Sequence, residues 1–396
     1  MKPAILGGTS AFSEKILVAK PSIPEFEEVH PLFKEIFESK WLTNHGKFVQ
    51  ELEKRIAGYI GAEHCALVSN GTKALELLIK SLDLNGEVIS TPFTFSATIH
   101  AIQANNLKPV FCDINPETYN LDESKLEKLI TDKTTAILAV NIFGNPVEIK
   151  KLTDIAESNN LKLLFDSAHA FGSTYLDKKI GSFGEGEAFS FHATKVFTTG
   201  EGGAVTTNNK ELSEKISLMR NFGIAGEEEV VSWGTNAKMN EFSAALGLKA
   251  LEQIEKDIEK LGRLNQIYKT NLEKIPGLKF QKINPDGKIN YKYFTVEVLE
   301  KEFGLNRNQL HTALKSDNIF ARKYFYPPCN RFPSYRSLES ALPEKLPNTE
   351  SVSAGILSLP MYADLKEEEI KKICEVIESI HLNAEKIKKT VQGFLK

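Results

Sequence analysis

Between about residue 50 and residue 210, short apolar runs rich in β-branched residues alternate with segments whose apolar positions recur three or four apart. The runs predict strands at 66–69, 87–91, 109–113, 135–140, 161–166, 188–191 and 203–207, and the periodic segments predict helices at 73–82, 96–105, 123–130 and 149–158. Alternation of this kind belongs to an α/β fold with a mostly parallel central sheet and helices packed on it. After Asn236 the pattern changes. Met239, Phe242, Leu246, Leu251, Ile254, Ile258 and Leu261 fall at helical spacing and predict one long connecting helix. A smaller α+β region follows, with strands expected at 278–281 and 293–298 and helices at 307–316 and 367–379. The stretch 326–347, rich in Pro, Ser and aromatics, reads as a long ordered loop, which in a compact unit is often functional. Two domains are expected, a large α/β unit with its N-terminal segment over 1–245 and a smaller α+β unit over 246–396.

The length of 396 residues suits one large core and a smaller partner. With 41% apolar and 26% charged residues and a formal charge of −3, the composition is that of an ordinary globular protein. No basic tract points to nucleic acid. Lys386, Lys388 and Lys389 lie on a C-terminal helical pattern and read as a solvated face. The four cysteines, Cys65, Cys112, Cys329 and Cys374, are too scattered for a disulfide framework or a zinc site, and no metal is expected. No segment approaches the ~20 apolar residues that span a bilayer, so a cytoplasmic location is expected.

The chemistry concentrates in 165–207, FDSAHAFGSTYLDKKIGSFGEGEAFSFHATKVFTTGEGGAVTT. One predicted strand ends at Asp166, the next carries Ser190, and Lys195 follows shortly after. Ligands of open α/β sheets gather at the carboxyl ends of strands, so Asp166 and Lys195 can face one crevice. A carboxylate opposite an amine suits pyridoxal phosphate: the amine condenses with the aldehyde, and the carboxylate keeps the pyridine nitrogen protonated, which makes the ring an electron sink. Taken alone, the pair could equally be a strand-end cap and a surface lysine. The segment Ser69, Asn70, Gly71, Thr72 adds a strand-to-helix turn with free amides and a helix dipole suited to a phosphate, although the same residues are ordinary helix caps. TPFTF at 91–95 offers Phe95 for stacking or for core packing. His169, about one turn beyond Asp166, could reach the ring hydroxyl or serve as a structural hydrogen-bonder.

The blocks SNGTKAL, TPFTFSATIHAI, FDSAHAFG, FSFHATK with EGGAVTT, GTNAKMNEFSAALG and LSLPMY, in this order from about residue 20 to 380, together resemble the DegT/DnrJ family of sugar aminotransferases, which have the aspartate-aminotransferase type of fold. The resemblance implies that Lys195 is the Schiff-base lysine, that Asp166 pairs with the pyridine nitrogen, that His169 contacts the ring-hydroxyl side and that Phe95 stacks on the ring. It also implies phosphate contacts from Gly71, Thr72 and Ser190, and from Asn236 of a neighbouring subunit, hence a homodimer with shared active sites. Two positions depart from many relatives. Lys238 stands where an arginine is common, which loses the bidentate fork. The run YFYPPCNRF lacks a frequent histidine, leaving Tyr326 and Arg322 as candidate sugar contacts.

The function so implied is transfer of an amino group from L-glutamate to a nucleotide-linked 4-keto-6-deoxyhexose. The carrier is expected to be deoxythymidine diphosphate, and the product a 4-amino-4,6-dideoxy sugar for a surface polysaccharide such as O-antigen. A 3-keto sugar and a UDP-linked N-acetylated 4-keto sugar are the alternatives. Lys195 argues against the related deoxygenases, which usually carry histidine there. For a non-catalytic cofactor-binding regulator, Lys195 and Asp166 would be surplus.

Overall fold

The computed structural model describes residues 2–394. Seven strands form the central sheet: β1 (His64–Val68), β2 (Glu87–Ser90), β3 (Lys108–Phe111), β4 (Thr134–Val140), β5 (Lys162–Asp166), β6 (Gly186–Ser190) and β7 (Gly203–Thr207). Their order is β3-β2-β4-β5-β6-β7-β1. Every pairing is parallel except those of β7, which runs against both β6 and β1. The two-residue side-chain period of a strand explains why these runs are apolar throughout. Ile137, Ala139, Leu163 and Phe165 enter one core, while the alternate residues Ala136, Leu138 and Leu164 enter a second core on the opposite face.

Helices cover both faces. They are α1 (Phe26–Ser39), α2 (Lys47–Ile60), α3 (Gly71–Ser81), α4 (Ser96–Ala104), α5 (Ile149–Ser158), α6 (Lys210–Met219) and α7 (Glu241–Leu272). α3, α4 and α6 supply Leu75, Ile99 and Ile216 to the second core, and α2 and α7 supply Leu52 and Leu248 to the first. Asn240 caps α7 by accepting the Ser243 amide at 2.9 Å. At 32 residues, α7 spans about 48 Å. Its buried Glu241 accepts the amides of Phe48 and Val49 at 2.9 and 3.0 Å, capping α2, whose own N-cap, Gly46, has no side chain to do so. Further along α7, the bare Cα of Gly247 lets Leu52 approach; a Cβ there would lie 2.7 Å from Leu52 Cδ2.

The smaller unit is an antiparallel sheet of β8 (Leu278–Phe280), β9 (Phe294–Val298) and β10 (Ile356–Leu359), ordered β8-β9-β10, with helices Arg307–Ser316, Pro347–Gly355 and Glu367–Leu382. The expected boundary at 245–246 falls inside α7. The N-terminal segment packs on the smaller unit: Ile16–Leu17 pairs in parallel with Ile319–Phe320, and the Asp317 carboxylate accepts the amides of Ala4 and Ala11. In the opposite direction, Cys329, Tyr335, Ala341 and Leu346 from the loop before Pro347–Gly355 join the second core of the large sheet.

One expected helix is absent. Residues 123–130 contain only the 3₁₀ turn Glu123–Lys125 followed by turns, because Asp122 binds the Ser124 amide and hydroxyl locally and eight residues with three apolar positions cannot sustain an α-helix by themselves. Helices α1, α2, α6 and Pro347–Gly355 and strand β10 were not anticipated.

Leu52 is fully buried between α2 and α7. Leu52→Ala should lower unfolding stability by about 2–5 kcal/mol in urea titration, because the Leu52 contact against Gly247 cannot be refilled by collapse of a rigid helix pair.

Candidate active site

The carboxyl ends of β4, β5 and β6 open onto a cavity of about 540 Å³. Asp166 ends β5 and lies almost fully buried in its wall. Its Oδ2 accepts the Thr98 hydroxyl at 2.7 Å, and its Oδ1 accepts the Ala168 amide at 3.1 Å. Thr98 is held in turn by Thr94, one helical turn earlier, at 2.8 Å. Burial pushes the Asp166 carboxyl above its ordinary range, although both hydrogen bonds and the Lys195 charge pull the other way. Such a carboxylate is electrostatically suited to a cation placed against it.

Lys195 lies on the turn after β6. That turn is built locally: the Lys195 amide donates to the His192 carbonyl at 2.9 Å, and His192 Nδ1 accepts the Thr194 amide at 3.1 Å. Lys195 Nζ projects into the cavity and meets Tyr293 Oη at 3.5 Å. Desolvation lowers its pKa to about 8, with Asp166 opposing. A fraction of neutral amine is therefore present near neutral pH, as a nucleophile or proton shuttle requires.

His169 is buried beside them, and its Nδ1 accepts the Phe143 amide at 3.3 Å, which places the proton on Nε2. Burial and the Lys195 charge hold it well below its usual pKa, so it stays neutral. The rings of Phe143, His169 and Phe325 stack near-parallel at 5.7–6.0 Å, fixing the imidazole plane.

An anion cup lies at the other end. Asn70 accepts the Lys73 amide at 2.9 Å and caps α3, leaving the amides of Gly71 and Thr72, both in residues that line the cavity, outside the helical ladder. Ser190, at the end of β6, presses against this turn. A Cβ on Gly71 would stand 2.6 Å from Ser190 Cβ, and one on Gly203 would stand 2.6 Å from the Asn70 carbonyl carbon. Two glycines therefore let β6 and β7 close on the turn and bring one hydroxyl and two amides together.

A model of the DegT/DnrJ/EryC1/StrS aminotransferase family matches residues 25–378. The chain belongs to this family of aminotransferases. Curated relatives include the dTDP-4-amino-4,6-dideoxy-D-glucose transaminases of Escherichia coli and Shigella dysenteriae. The first is 39% identical over 365 residues, 91% of this chain and 98% of its own length; the second is 40% identical over 369 residues, 92% and 99%. Among solved structures, DesI in the presence of its TDP-sugar product superposes with a TM-score of 0.92 at 34% identity, covering 100% of this chain and 99% of that one. The chain is accordingly a sugar aminotransferase, and the family implies pyridoxal phosphate. The cavity fits that group on its own features: an amide and hydroxyl cup at one end, a buried carboxylate at the other, and a partly neutral lysine amine between them.

Of the residues expected from sequence, Gly71, Thr72, Phe95, Asp166, His169, Ser190 and Lys195 line this one cavity. Phe95 stands at its edge, 60% exposed. Asn236 does not line it; the residue is exposed, in a β-bridge to Asn221. Lys238 lies over the Phe222 ring and donates to Asn221 Oδ1 at 3.0 Å, beside a separate cavity with His45 and Arg220. Arg322 is exposed and bridged to Ser358, while Tyr326, 52% exposed, stacks on buried Arg307 at 4.5 Å. From the same YFYPP run it is Tyr324 and Phe325 that form the wall. Thr98, Tyr293, Tyr324 and Phe325 were not anticipated; for Thr98 alone there was a signal, its spacing of four from Thr94 at the head of a predicted helix. Among the described residues no cluster of three or more His, Cys, Asp or Glu could hold a metal, and no helix is long and apolar enough to cross a membrane.

Gly71→Ala should force the turn away from Ser190. The expected result is pyridoxal phosphate binding weakened at least about tenfold, equal to ~1.4 kcal/mol, in a fluorescence titration of the stripped protein.

Proposed function

We propose that the chain transfers the amino group of L-glutamate to a dTDP-linked 4-keto-6-deoxyhexose, with pyridoxal phosphate as cofactor, giving a 4-amino-4,6-dideoxy sugar nucleotide for surface polysaccharide. The observation that carries this reading is the opposition of Lys195 and Asp166 in one cavity that also contains the anion cup. The names of the two transaminases and the TDP-sugar complex support the 4-amino product and the thymidine carrier.

When bound, pyridoxal phosphate supplies an aldehyde that carries the amino group and a ring that accepts electrons as the donor's Cα–H bond breaks. The amides of Gly71 and Thr72 and the Ser190 hydroxyl hold its phosphate. Asp166 holds a proton at the ring nitrogen, and the charge it meets there lowers its own raised pKa. His169, neutral with its proton on Nε2, offers that N–H to the ring-hydroxyl side. Phe95 at the edge covers a ring face. Lys195 Nζ removes the proton from the glutamate α-carbon and later delivers one to the sugar carbon that receives nitrogen, so one amine serves both half-reactions. Exposed Asn236 completes the phosphate site of a second subunit in a homodimer. Lys238, Arg322 and Tyr326, all outside this chain's own cavity, are assigned to contacts with the sugar nucleotide, reached from the cavity mouth or across the dimer.

Incubation with glutamate and a panel of 3-keto and 4-keto sugars on dTDP, UDP and GDP, followed by NMR of the products, should give nitrogen at C4 on the dTDP sugar. Nitrogen at C3, or preference for another carrier, refutes that part of the reading. Lys195→Ala should lose at least about 10³-fold in turnover. Because the Lys195 pKa is lowered to about 8, its neutral form is lost as pH falls through that value. Capture of pyridoxal phosphate by the stripped protein should therefore slow about tenfold per pH unit below pH 8 and level off above it, in stopped-flow absorbance.

A further inference from the structure

Among the described residues, Lys195 Nζ meets one hydrogen-bonding partner, the Tyr293 phenol at 3.5 Å. Tyr293 comes from the smaller unit, immediately before β9, the central strand of its sheet. Its ring is held on several sides, with centroids 4.6 Å from the His169 ring, 5.5 Å from Phe143 and 6.3 Å from Tyr324. Three residues earlier, the side-chain amide of fully buried Asn290 donates to the carbonyls of His169 and Phe171 at 2.7 and 3.0 Å. This short segment thus grips the His169 loop by both a side-chain amide and an aromatic ring. The phenol is a fixed point in the cavity wall, and the amine that meets it rides on a flexible four-carbon stem.

Amino transfer makes opposite demands on that amine. It is neutral before it takes a proton from the donor α-carbon and charged afterwards, and it must stay poised in both forms. A carboxylate beside it would retain the ammonium, and a backbone N–H would bond the neutral amine alone. A phenol serves both, because its O–H donates to the amine lone pair and its oxygen accepts an ammonium N–H. We propose that Tyr293 is a further catalytic residue for amino transfer: its phenol anchors the free Lys195 amine in both protonation states, so that the amine is poised for each proton transfer. In that transfer the C–H bond breaks, an N–H bond forms at Lys195 and the electron pair passes to the cofactor ring. Tyr293 keeps its own proton throughout. Burial, with Tyr324 and Asp166 adding to it, pushes the phenol upward and holds that proton in place. Since the phenol bonds both forms of the amine, the proton affinity of Lys195 is left to burial and Asp166.

Tyr293→Phe deletes one oxygen and keeps the ring that packs on His169. The stripped full-length protein is exposed to trace acetic anhydride between about pH 6 and pH 10, and acetylation of the Lys195 peptide is read by mass spectrometry. With its lone pair released, Lys195 should label about three- to tenfold faster on the alkaline plateau, with the midpoint unmoved. The protein loaded with pyridoxal phosphate should react with glutamate at least about tenfold more slowly in a single turnover, and α-deuterated glutamate should show a larger isotope effect than with the unsubstituted protein. Faster labelling joined to slower proton transfer is not expected of a structural role. Tyr324→Phe removes a hydroxyl from the same wall and should leave Lys195 labelling unchanged; an equal rise there assigns the effect to added space and overturns the proposal. An unchanged labelling rate or an unchanged glutamate reaction in Tyr293→Phe overturns it as well. The role of Tyr293 rests on Lys195 reacting with the cofactor and glutamate. Failure of the unsubstituted protein to react with glutamate overturns that functional reading, whereas a normal reaction that Tyr293→Phe leaves untouched overturns only the role of Tyr293.

Discussion

Asp166 and Lys195 are ionisable groups held in the wall of a single cavity, each shifted toward its neutral form by burial and each partly restored by the other's charge. Removing charged groups from water is unfavourable unless partners compensate. Among the described residues the fold supplies those partners only in part: Thr98 and the Ala168 amide for the carboxylate, and one long contact to Tyr293 for the amine. What is left uncompensated is an appetite for a ligand that brings a positive nitrogen to one group and an electrophile to the other. The family chemistry fits that description, and Gly71, Thr72 and Ser190 offer two amides and a hydroxyl of the kind a phosphate requires.

The sheet places this pair with few moving parts. Asp166 and Ser190 end adjacent strands, and antiparallel β7, beginning at Gly203, closes against the Asn70–Gly71 turn from the other side. Because backbone atoms make these contacts, the site is set by strand register more than by side-chain rotamers. The neutral, ring-stacked His169 and the hydrogen-bonded chain from Thr94 through Thr98 to Asp166 then remove the remaining freedom of the polar groups.

Much of this was legible from the chain itself. The seven sheet strands were readable to within one or two residues because they are buried on both faces, and the seven residues now found around the cavity were readable because they stand at strand ends or helix starts, where short motifs have local meaning. The misses have a common cause. Tyr293 and Phe325 come from the smaller unit and reach the site only through its packing against the large one, which no local pattern encodes. Helices α1 and α2 precede the first predicted strand, and the cap of α2 comes from Glu241, nearly two hundred residues away. The 123–130 segment shows the converse, an apolar spacing that looked helical but that local hydrogen bonds from Asp122 turned into a 3₁₀ turn. Asn236 stands apart for another reason: its expected role belongs to the site of a second subunit, which the geometry of a single chain does not contain.

In the proposed function Lys195, and no other amine, reacts with the cofactor in the cavity shared with Asp166. A second buried lysine makes this sharp: Lys292 immediately precedes Tyr293 of the cavity wall, and burial lowers its pKa to about 8. Borohydride reduction of the pyridoxal-phosphate-loaded protein, followed by peptide mapping, tests it most directly. A single phosphopyridoxyl adduct on Lys195 is expected; an adduct on Lys292, or on any other lysine with Lys195 unmodified, would contradict that assignment.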